Sequence, residues 1–170
     1  TPPTTLTGEI MKAHFGKDKT FVVGNIGNPY TLEADKTSKD SVTVGEISSF
    51  QLETIHTFHP VVSAILNITP DHLNRHHTME AYVAAKEAVA SQQTKADICV
   101  LNYDNDYTRD FAGRCPATPV LFSSHHELEN GYFLRGDKII KSVNGEEHEL
   151  MDIHKDMNLV GLCNVENVMA

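Results

Sequence analysis

The fold of this 170-residue chain is most constrained by short apolar segments that lie on either side of a segment with helical periodicity. Residues 61–68 and 98–102 are almost continuously apolar, which is typical of strands buried on both faces of a sheet. Between them, residues 78–90 carry apolar side chains at helical spacing, with Thr78 as a candidate N-cap. Strands that alternate with helices predict an α/β fold, in which a mostly parallel sheet has helices on both faces.

Weaker patterns add elements on either side of this segment. Helical spacing and a following glycine predict a helix over residues 4–15, and β-branched or apolar runs predict strands at residues 19–23, 41–47 and 120–122. A last helix is expected from Val165 onward.

A small antiparallel β meander is predicted near the C-terminal end. Its three short strands fall at residues 132–135, 138–143 and 147–151. Gly136-Asp137 and Asn144-Gly145 separate them, and both dipeptides strongly favour hairpin turns.

The composition weakens several functional classes. The chain has 14 Lys and Arg residues against 23 Asp and Glu, a formal net charge of −9, so it lacks the basic character of proteins that bind nucleic acid phosphates. No apolar run approaches the roughly 20 residues that span a bilayer, and three scattered cysteines form no CxxC pair. We expect a cytoplasmic protein that binds neither nucleic acid nor membrane, folded as a single domain over residues 1–170.

Polar side chains cluster where the predicted parallel strands end. Asn25 follows the first strand, Glu46 and Ser48 end and follow the second, and His72 follows the third. Because the carboxyl ends of parallel strands meet at one edge of a sheet, these side chains are expected to share one rim. Carboxylate, hydroxyl and imidazole groups suit a hard divalent cation. Glu46 as a solvated strand-end charge and His72 as the cap of a turn remain alternatives.

Lys86 is unusual because it lies on the partly apolar face of the predicted helix. Two interpretations stay open. The Lys86 side chain could lie along the apolar surface with its amine in water, or partial burial could keep the amine neutral and able to react. His76 and His77 have no zinc-binding spacing and are interpreted as part of a polar loop.

Three segments together resemble the central domain of the Mur ligases. They are GEISSFQLE at residues 45–53, NITPDHLNR at residues 67–75 and YVAAK at residues 82–86. GNIG at residues 24–27 and GLCNVEN at residues 161–167 agree with the same family. Within the family, the likeness is greatest to the branch that adds D-glutamate to UDP-N-acetylmuramoyl-L-alanine. The resemblance implies the ATP-binding middle domain of a three-domain, P-loop-type ligase that works through an acyl phosphate.

The resemblance also implies residue roles. Mg²⁺ would be held by Glu46, His72 and Lys86, the last as a carbamate formed with carbon dioxide, and these three residues would carry the catalysis. Contacts with the UDP-linked substrate would come from Asn25, Ser48 and His72. The adenine of ATP would lie near Asn164 and Asn167. Glu46, His72 and Lys86 are expected to meet at one rim.

Two departures from the family pattern shape the functional expectation. No G-x-x-x-x-G-K-[ST] phosphate loop occurs in the chain, and Cys163 stands where the family usually has histidine. We therefore expect a part of a longer ligase that is inactive alone and binds ATP weakly. Two alternatives are a ligase of the folylpolyglutamate synthetase type, built on the same domain, and a non-catalytic α/β binding module.

Overall fold

The computed structural model describes residues 2–170. Within these residues the chain divides into two compact units, the first ending at Gln51 and the second running from Leu52 to Ala170. The interpretation of residues 1–170 as a single domain stays a prediction.

The first unit consists of a helix and a pair of parallel strands. Helix α1 (Pro2–Phe15) confirms the helix predicted over residues 4–15, and it begins earlier because prolines are tolerated in a first helical turn. Strands β1 (Thr20–Gly24) and β2 (Val42–Glu46) confirm the two predicted strands and pair in parallel. The short helix α2 (Tyr30–Glu33) lies between them in the chain. Gly24 and Glu46 are partners at the carboxyl ends of the two strands.

The second unit begins with the end of the short helix α3 (Ser49–Leu52) and contains, among residues 52–170, a sheet of six strands. In chain order the strands are β3 (Val62–Ile65), β4 (Ile98–Asn102), β5 (Thr118–Ser123), β6 (Gly131–Arg135), β7 (Lys138–Val143) and β8 (Glu146–Asp152). Strands β3 to β6 are parallel neighbours, and β6, β7 and β8 pair antiparallel. The predicted fold class is confirmed, and the meander continues the parallel sheet because β6 pairs with β5.

Helices cover both faces of this sheet. They are α4 (Leu73–His76), α5 (Met79–Glu87), α6 (Asp106–Ala112) and α7 (Leu162–Met169). On one face, Tyr82 of α5 and Phe111 of α6 join the buried cluster that includes Leu101. On the other face, Val165 of α7 joins the cluster that includes Val100, the neighbour of Leu101 in β4. Alternate residues of one strand therefore enter two apolar cores.

Two details differ from the sequence prediction. Strand β3 covers only Val62–Ile65 of the predicted residues 61–68, and Val62 is 57% exposed, so this strand is not buried on both faces. Its position at the edge of the sheet explains its shorter pairing. Helix α6 was not predicted, although Asn105 caps it by accepting a hydrogen bond from the Thr108 amide.

Across residues 2–170, no helix has both the length and the apolar character needed to cross a membrane.

Candidate functional site

In the first unit, Glu46 and Asn25 lie side by side at the carboxyl ends of β2 and β1. The Asn25 side-chain amide donates to Glu46 Oε1 at 3.2 Å, and the Thr4 hydroxyl donates to Glu46 Oε2 at 3.3 Å. The backbone amide of Asn25 donates to the Glu46 carbonyl at 2.7 Å. The half-buried carboxylate is thus oriented by donors from the loop after β1 and from α1.

Gly24 explains why the loop can approach Glu46 so closely. Its φ of 105° lies in the region that favours glycine, and a Cβ there would lie 2.2 Å from the Glu46 carbonyl oxygen. Gly27, with φ of 69°, lets the loop turn back, and a Cβ there would lie 2.9 Å from the Val22 carbonyl oxygen. The two glycines of the GNIG segment therefore position Asn25 against Glu46.

Ser48 lies just before α3 and forms hydrogen bonds with Gln51 in the same turn. Its amide and hydroxyl donate to Gln51 Oε1 at 2.8 and 3.0 Å, and its hydroxyl accepts from the Gln51 amide at 3.3 Å. This reciprocal pair has the form of a capping box, which stabilises the start of a helix. A contact between Ser48 and a substrate stays a prediction.

In the second unit, His72 occupies a tight turn after β3. Its φ is 53°, in the left-handed region. The Asp71 carboxylate accepts a hydrogen bond from the His72 amide at 2.7 Å and lies 3.4 Å from the His72 ring nitrogen Nε2. This supports the interpretation of His72 as the residue that precedes a helical turn, since α4 begins at Leu73. A metal or substrate role of His72 stays a prediction.

Glu53 anchors the short helix α4 that follows His72. Its carboxylate accepts from Arg75 Nη2 at 2.7 Å and lies 3.2 Å from His76 Nδ1. The hydrogen bond from Arg75, with the nearby His76, holds the pKa of Glu53 below its ordinary value despite partial desolvation. The interpretation of His76 as part of a polar loop is wrong, because its side chain is 3% exposed and its ring contacts Tyr82.

Lys86 lies on α5 and is half-buried. Its Nζ is 5.6 Å from the centre of the Tyr82 ring, one helical turn earlier. Burial, with a smaller contribution from the Asp71 carboxylate, raises the pKa of Tyr82. Tyr82 therefore lies near the turn that carries His72 and on the helix that carries Lys86.

The sequence-predicted metal ligands are thus divided between the two units. Glu46 belongs to the first unit, and His72 and Lys86 belong to the second. Their meeting at one rim stays a prediction. The Glu53–His76 pair was missed by sequence analysis because its members are 23 positions apart and carry no spacing signal.

Asn164 and Asn167 lie on the same side of α7, one helical turn apart. The Asn164 side-chain amide donates to the Val160 carbonyl at 2.7 Å, and Asn167 donates to Asn164 Oδ1 at 3.5 Å. Cys163 is exposed in the first turn of the helix. The segment leading into α7 lines a cavity of about 360 Å³, with mainly apolar residues that include Met157, Leu159, Val160 and Leu162. An adenine contact at these asparagines stays a prediction.

Comparison with known proteins identifies the family. The sequence is 56% identical over 170 residues to the UDP-N-acetylmuramoylalanine--D-glutamate ligase of Lachnoclostridium phytofermentans. It is 55% identical over 170 residues to the ligase of the same name from Lachnospira eligens. Each match covers 100% of this chain and 37% of the relative, so the chain spans a little over one third of their length.

The fold agrees with that of a solved ligase structure. The MurF ligase of Thermotoga maritima in complex with ADP superposes with a TM-score of 0.62 at 16% identity, covering 100% of this chain and 42% of that chain. At that identity the likeness concerns the fold alone. The Mur ligase middle domain family matches residues 2–170. This chain therefore belongs to the Mur ligase middle domain family.

Proposed function

We propose that this chain is the nucleotide-binding part of an ATP-dependent ligase that joins D-glutamate to UDP-N-acetylmuramoyl-L-alanine. The observation that carries the proposal is the 55–56% identity, over all 170 residues, to two relatives named as that ligase. A cytoplasmic location accompanies the proposal, because both substrates are small, water-soluble compounds. The activity belongs to the full-length protein, of which this chain represents the middle domain.

The nucleotide is proposed to bind at the start of α7. The cavity of about 360 Å³ before this helix has a mainly apolar lining, which suits the flat face of a purine base. Asn164 and Asn167 lie on α7 and are not among the residues that line this cavity; they are proposed to supply directional hydrogen bonds to adenine from the neighbouring part of the helix. The ADP complex of the Thermotoga maritima ligase, which has the same fold, supports a nucleotide site in this domain.

Glu46 is proposed as a Mg²⁺ ligand, and the donor chemistry of the first unit fits that role. Asn25 donates to Oε1 and Thr4 donates to Oε2, and these hydrogen bonds would orient the carboxylate, whose oxygens are ligands that Mg²⁺ prefers. When bound, Mg²⁺ would neutralise charge on the phosphoryl group during its transfer. With its amide N–H groups directed at Glu46, Asn25 would use its amide oxygen to accept a hydrogen bond from the UDP-linked substrate.

Lys86 can be a ligand of Mg²⁺ only after its amine is chemically modified, because an ammonium group repels Mg²⁺. We propose that its uncharged amine attacks the carbon of carbon dioxide. A C–N bond would form as one C=O π bond of carbon dioxide breaks, its electron pair would pass to oxygen, and the nitrogen would lose a proton to water, which leaves an anionic carbamate. His72 is proposed as a further ligand and substrate contact, on the strength of its matching motif.

The proposal is tested on the full-length protein by measuring phosphate release that requires both UDP-N-acetylmuramoyl-L-alanine and D-glutamate. Lys86→Ala is expected to lower kcat/KM at least about a hundredfold, with partial recovery in added formate or acetate. Lys155→Ala is the matched control, because Lys155 is an exposed lysine of the same unit. Phosphate release that requires a folate in place of the muramoyl substrate would contradict the proposed substrate. Normal activity of Lys86→Ala would contradict the carbamate.

Glu46 is tested separately through the dependence of the reaction on Mg²⁺. Glu46→Gln keeps the size of the side chain and removes its charge, so it is expected to raise the Mg²⁺ concentration needed for half-maximal rate by about tenfold or more. Glu9→Gln, an exposed carboxylate on α1, is the control. An unchanged Mg²⁺ requirement in Glu46→Gln would contradict its role as a ligand.

A further inference from the structure

A second group of metal-ligating side chains lies in the second unit, and none of its members is among the proposed Mg²⁺ ligands. Asp104 follows β4, His125 follows β5, and Glu166 lies on α7. One ligand atom from each of these three side chains lies within 4.8 Å of the others. The cluster therefore gathers one carboxylate and one imidazole from the carboxyl ends of two neighbouring parallel strands and a second carboxylate from helix α7.

The distances within this cluster fit a small coordination sphere. Asp104 Oδ2 and His125 Nδ1 are 3.1 Å apart. The Ser124 hydroxyl lies 2.7 Å from Glu166 Oε1, 3.1 Å from His125 Nδ1 and 3.3 Å from Asp104 Oδ2. Ligand atoms around a tetrahedral zinc ion, with bonds of about 2.0–2.1 Å, lie about 3.3–3.4 Å apart. Small side-chain shifts would bring the three ligand atoms to that arrangement, with Ser124 beside the fourth position.

The surroundings of Asp104 orient it in the manner of a metal ligand. Its Oδ1 accepts from the Ser123 hydroxyl at 2.5 Å and contacts His126 Nδ1 at 2.9 Å. Its Oδ2 accepts from the Ser124 amide at 2.7 Å and from the Ser124 hydroxyl at 3.3 Å, and it lies 3.1 Å from His125 Nδ1. Hydrogen bonds of this kind fix the direction of a ligating carboxylate.

The charges also favour a cation. Asp104 is 12% exposed on its side chain, and Glu166 is half-buried beside it. The Ser124 hydroxyl has one proton and lies near both carboxylates, so it donates fully to only one of them at a time, while of the two carboxylates His125 and His126 contact Asp104. Two carboxylates and one imidazole form a ligand set that Zn²⁺ and related transition metals bind in proteins. We propose that Asp104, His125 and Glu166 bind a divalent transition-metal ion such as Zn²⁺, which ties α7 to the ends of β4 and β5.

The test is a titration of Zn²⁺ into the full-length protein after removal of metals with a chelator. We expect a site with a dissociation constant of about 1 μM or tighter by calorimetry. Co²⁺ in the same site should show the visible absorption of tetrahedral coordination. His125→Ala and Glu166→Gln are each expected to weaken Zn²⁺ binding at least about tenfold. Added Zn²⁺ should raise the Tm of the wild-type protein and not that of either variant.

Matched controls separate this site from other histidines and carboxylates. His148→Ala removes a histidine whose side chain is 62% exposed, against 61% for His125, and Glu146→Gln removes a carboxylate that is exposed on the same hairpin. Both controls should bind Zn²⁺ as the wild type does. Glu166→Gln preserves side-chain size and carries the test if His125→Ala fails to fold. Equal Zn²⁺ affinity in the wild type, His125→Ala and Glu166→Gln, or loss of binding in His148→Ala as well, would overturn the proposal.

Discussion

The parallel strands β3–β5 and the antiparallel strands β6–β8 of the second unit are aligned by different interactions. Parallel neighbours are joined by long crossovers, so side chains from a connection must tie one strand to the next. Gln93 does this, because its amide donates to the carbonyls of Pro60 and Ile98 and its oxygen accepts from Ser63. Lys95 donates to the carbonyls of Cys115 and Ala117, just before β5.

The antiparallel strands need no such long-range ties. Asn144 and Gly145 adopt φ of 53° and 78°, which suits the two-residue turn between β7 and β8 and fixes their pairing locally. Ion pairs lie on the surface of these strands: Arg135 contacts Glu127 and Glu147 at 2.6–2.8 Å. The comparison teaches that side chains of the connections bond to the strand ends in the parallel part, whereas the antiparallel part adds exposed charges to a register that its turns already define.

Removing a buried apolar side chain from the parallel part should have the largest effect. Leu101 of β4 is fully buried, so Leu101→Ala is expected to lower the free energy of unfolding by about 2–5 kcal/mol. Val143→Ala, at a position 48% exposed in β7, should cost below about 1 kcal/mol. Urea denaturation followed by circular dichroism measures both. Equal losses would remove the distinction between the two parts.

Gln93→Leu should have the next largest effect, because it leaves two backbone carbonyls and the Ser63 hydroxyl without their present partner. We expect a loss of about 1–3 kcal/mol in the free energy of unfolding. Gln92→Leu, the exposed neighbour, is the control and should change stability little. Hydrogen exchange should show faster exchange in β3 and β4 of Gln93→Leu. Wild-type protection there would contradict the role of Gln93 in aligning these strands.

Arg135→Met should destabilise the antiparallel part less than Gln93→Leu destabilises the parallel part, because exposed ion pairs are screened by water and salt. The difference in Tm from the wild type should shrink in about 1 M NaCl, where the screening length is about 3 Å. Lys141→Met on β7 is the matched control, because it also removes one positive charge from the meander. A difference for Arg135→Met that is unaffected by salt would show that its packing against Phe133 matters more than its charge.

The smallest expected effect is the response of β8 to acid. The Lys138 ammonium, with the backbone amides of His154 and Lys155, lowers the pKa of Asp152 to about 2. A carboxyl whose folded-state pKa is lowered adds stability above its ordinary pKa of about 3.9, and this contribution is lost as the pH falls toward about 2. Asp152→Asn should therefore show a shallower loss of Tm than the wild type between about pH 5 and pH 2.

The control for this acid response is Asp40→Asn, in an exposed loop of the first unit. Its loss of Tm should follow that of the wild type over the same pH range. Identical curves for Asp152→Asn and the wild type would show that the Lys138 contact does not contribute to the stability of the folded state.

Local sequence determined the elements whose information lies within a few residues. Strand β4 has the predicted bounds, and the turn at Asn144-Gly145 lies where the dipeptide predicted it, because backbone preference and apolar content act locally. The family motifs, read from the sequence, predicted site roles for Glu46 and Asn25, and the structure adds the hydrogen bond between them.

Tertiary structure alone decided features that depend on residues distant in the chain. Strand β3 is partly exposed because it lies at the edge of the sheet, and no property of residues 61–68 reveals their place in the strand order. His76 is buried because Glu53 and Tyr82 meet it there. Asp104 and Glu166 approach each other across 62 positions, because burial of the two apolar cores brings the end of β4 and helix α7 together. A sequence pattern records composition and spacing, whereas such contacts arise only when the chain packs.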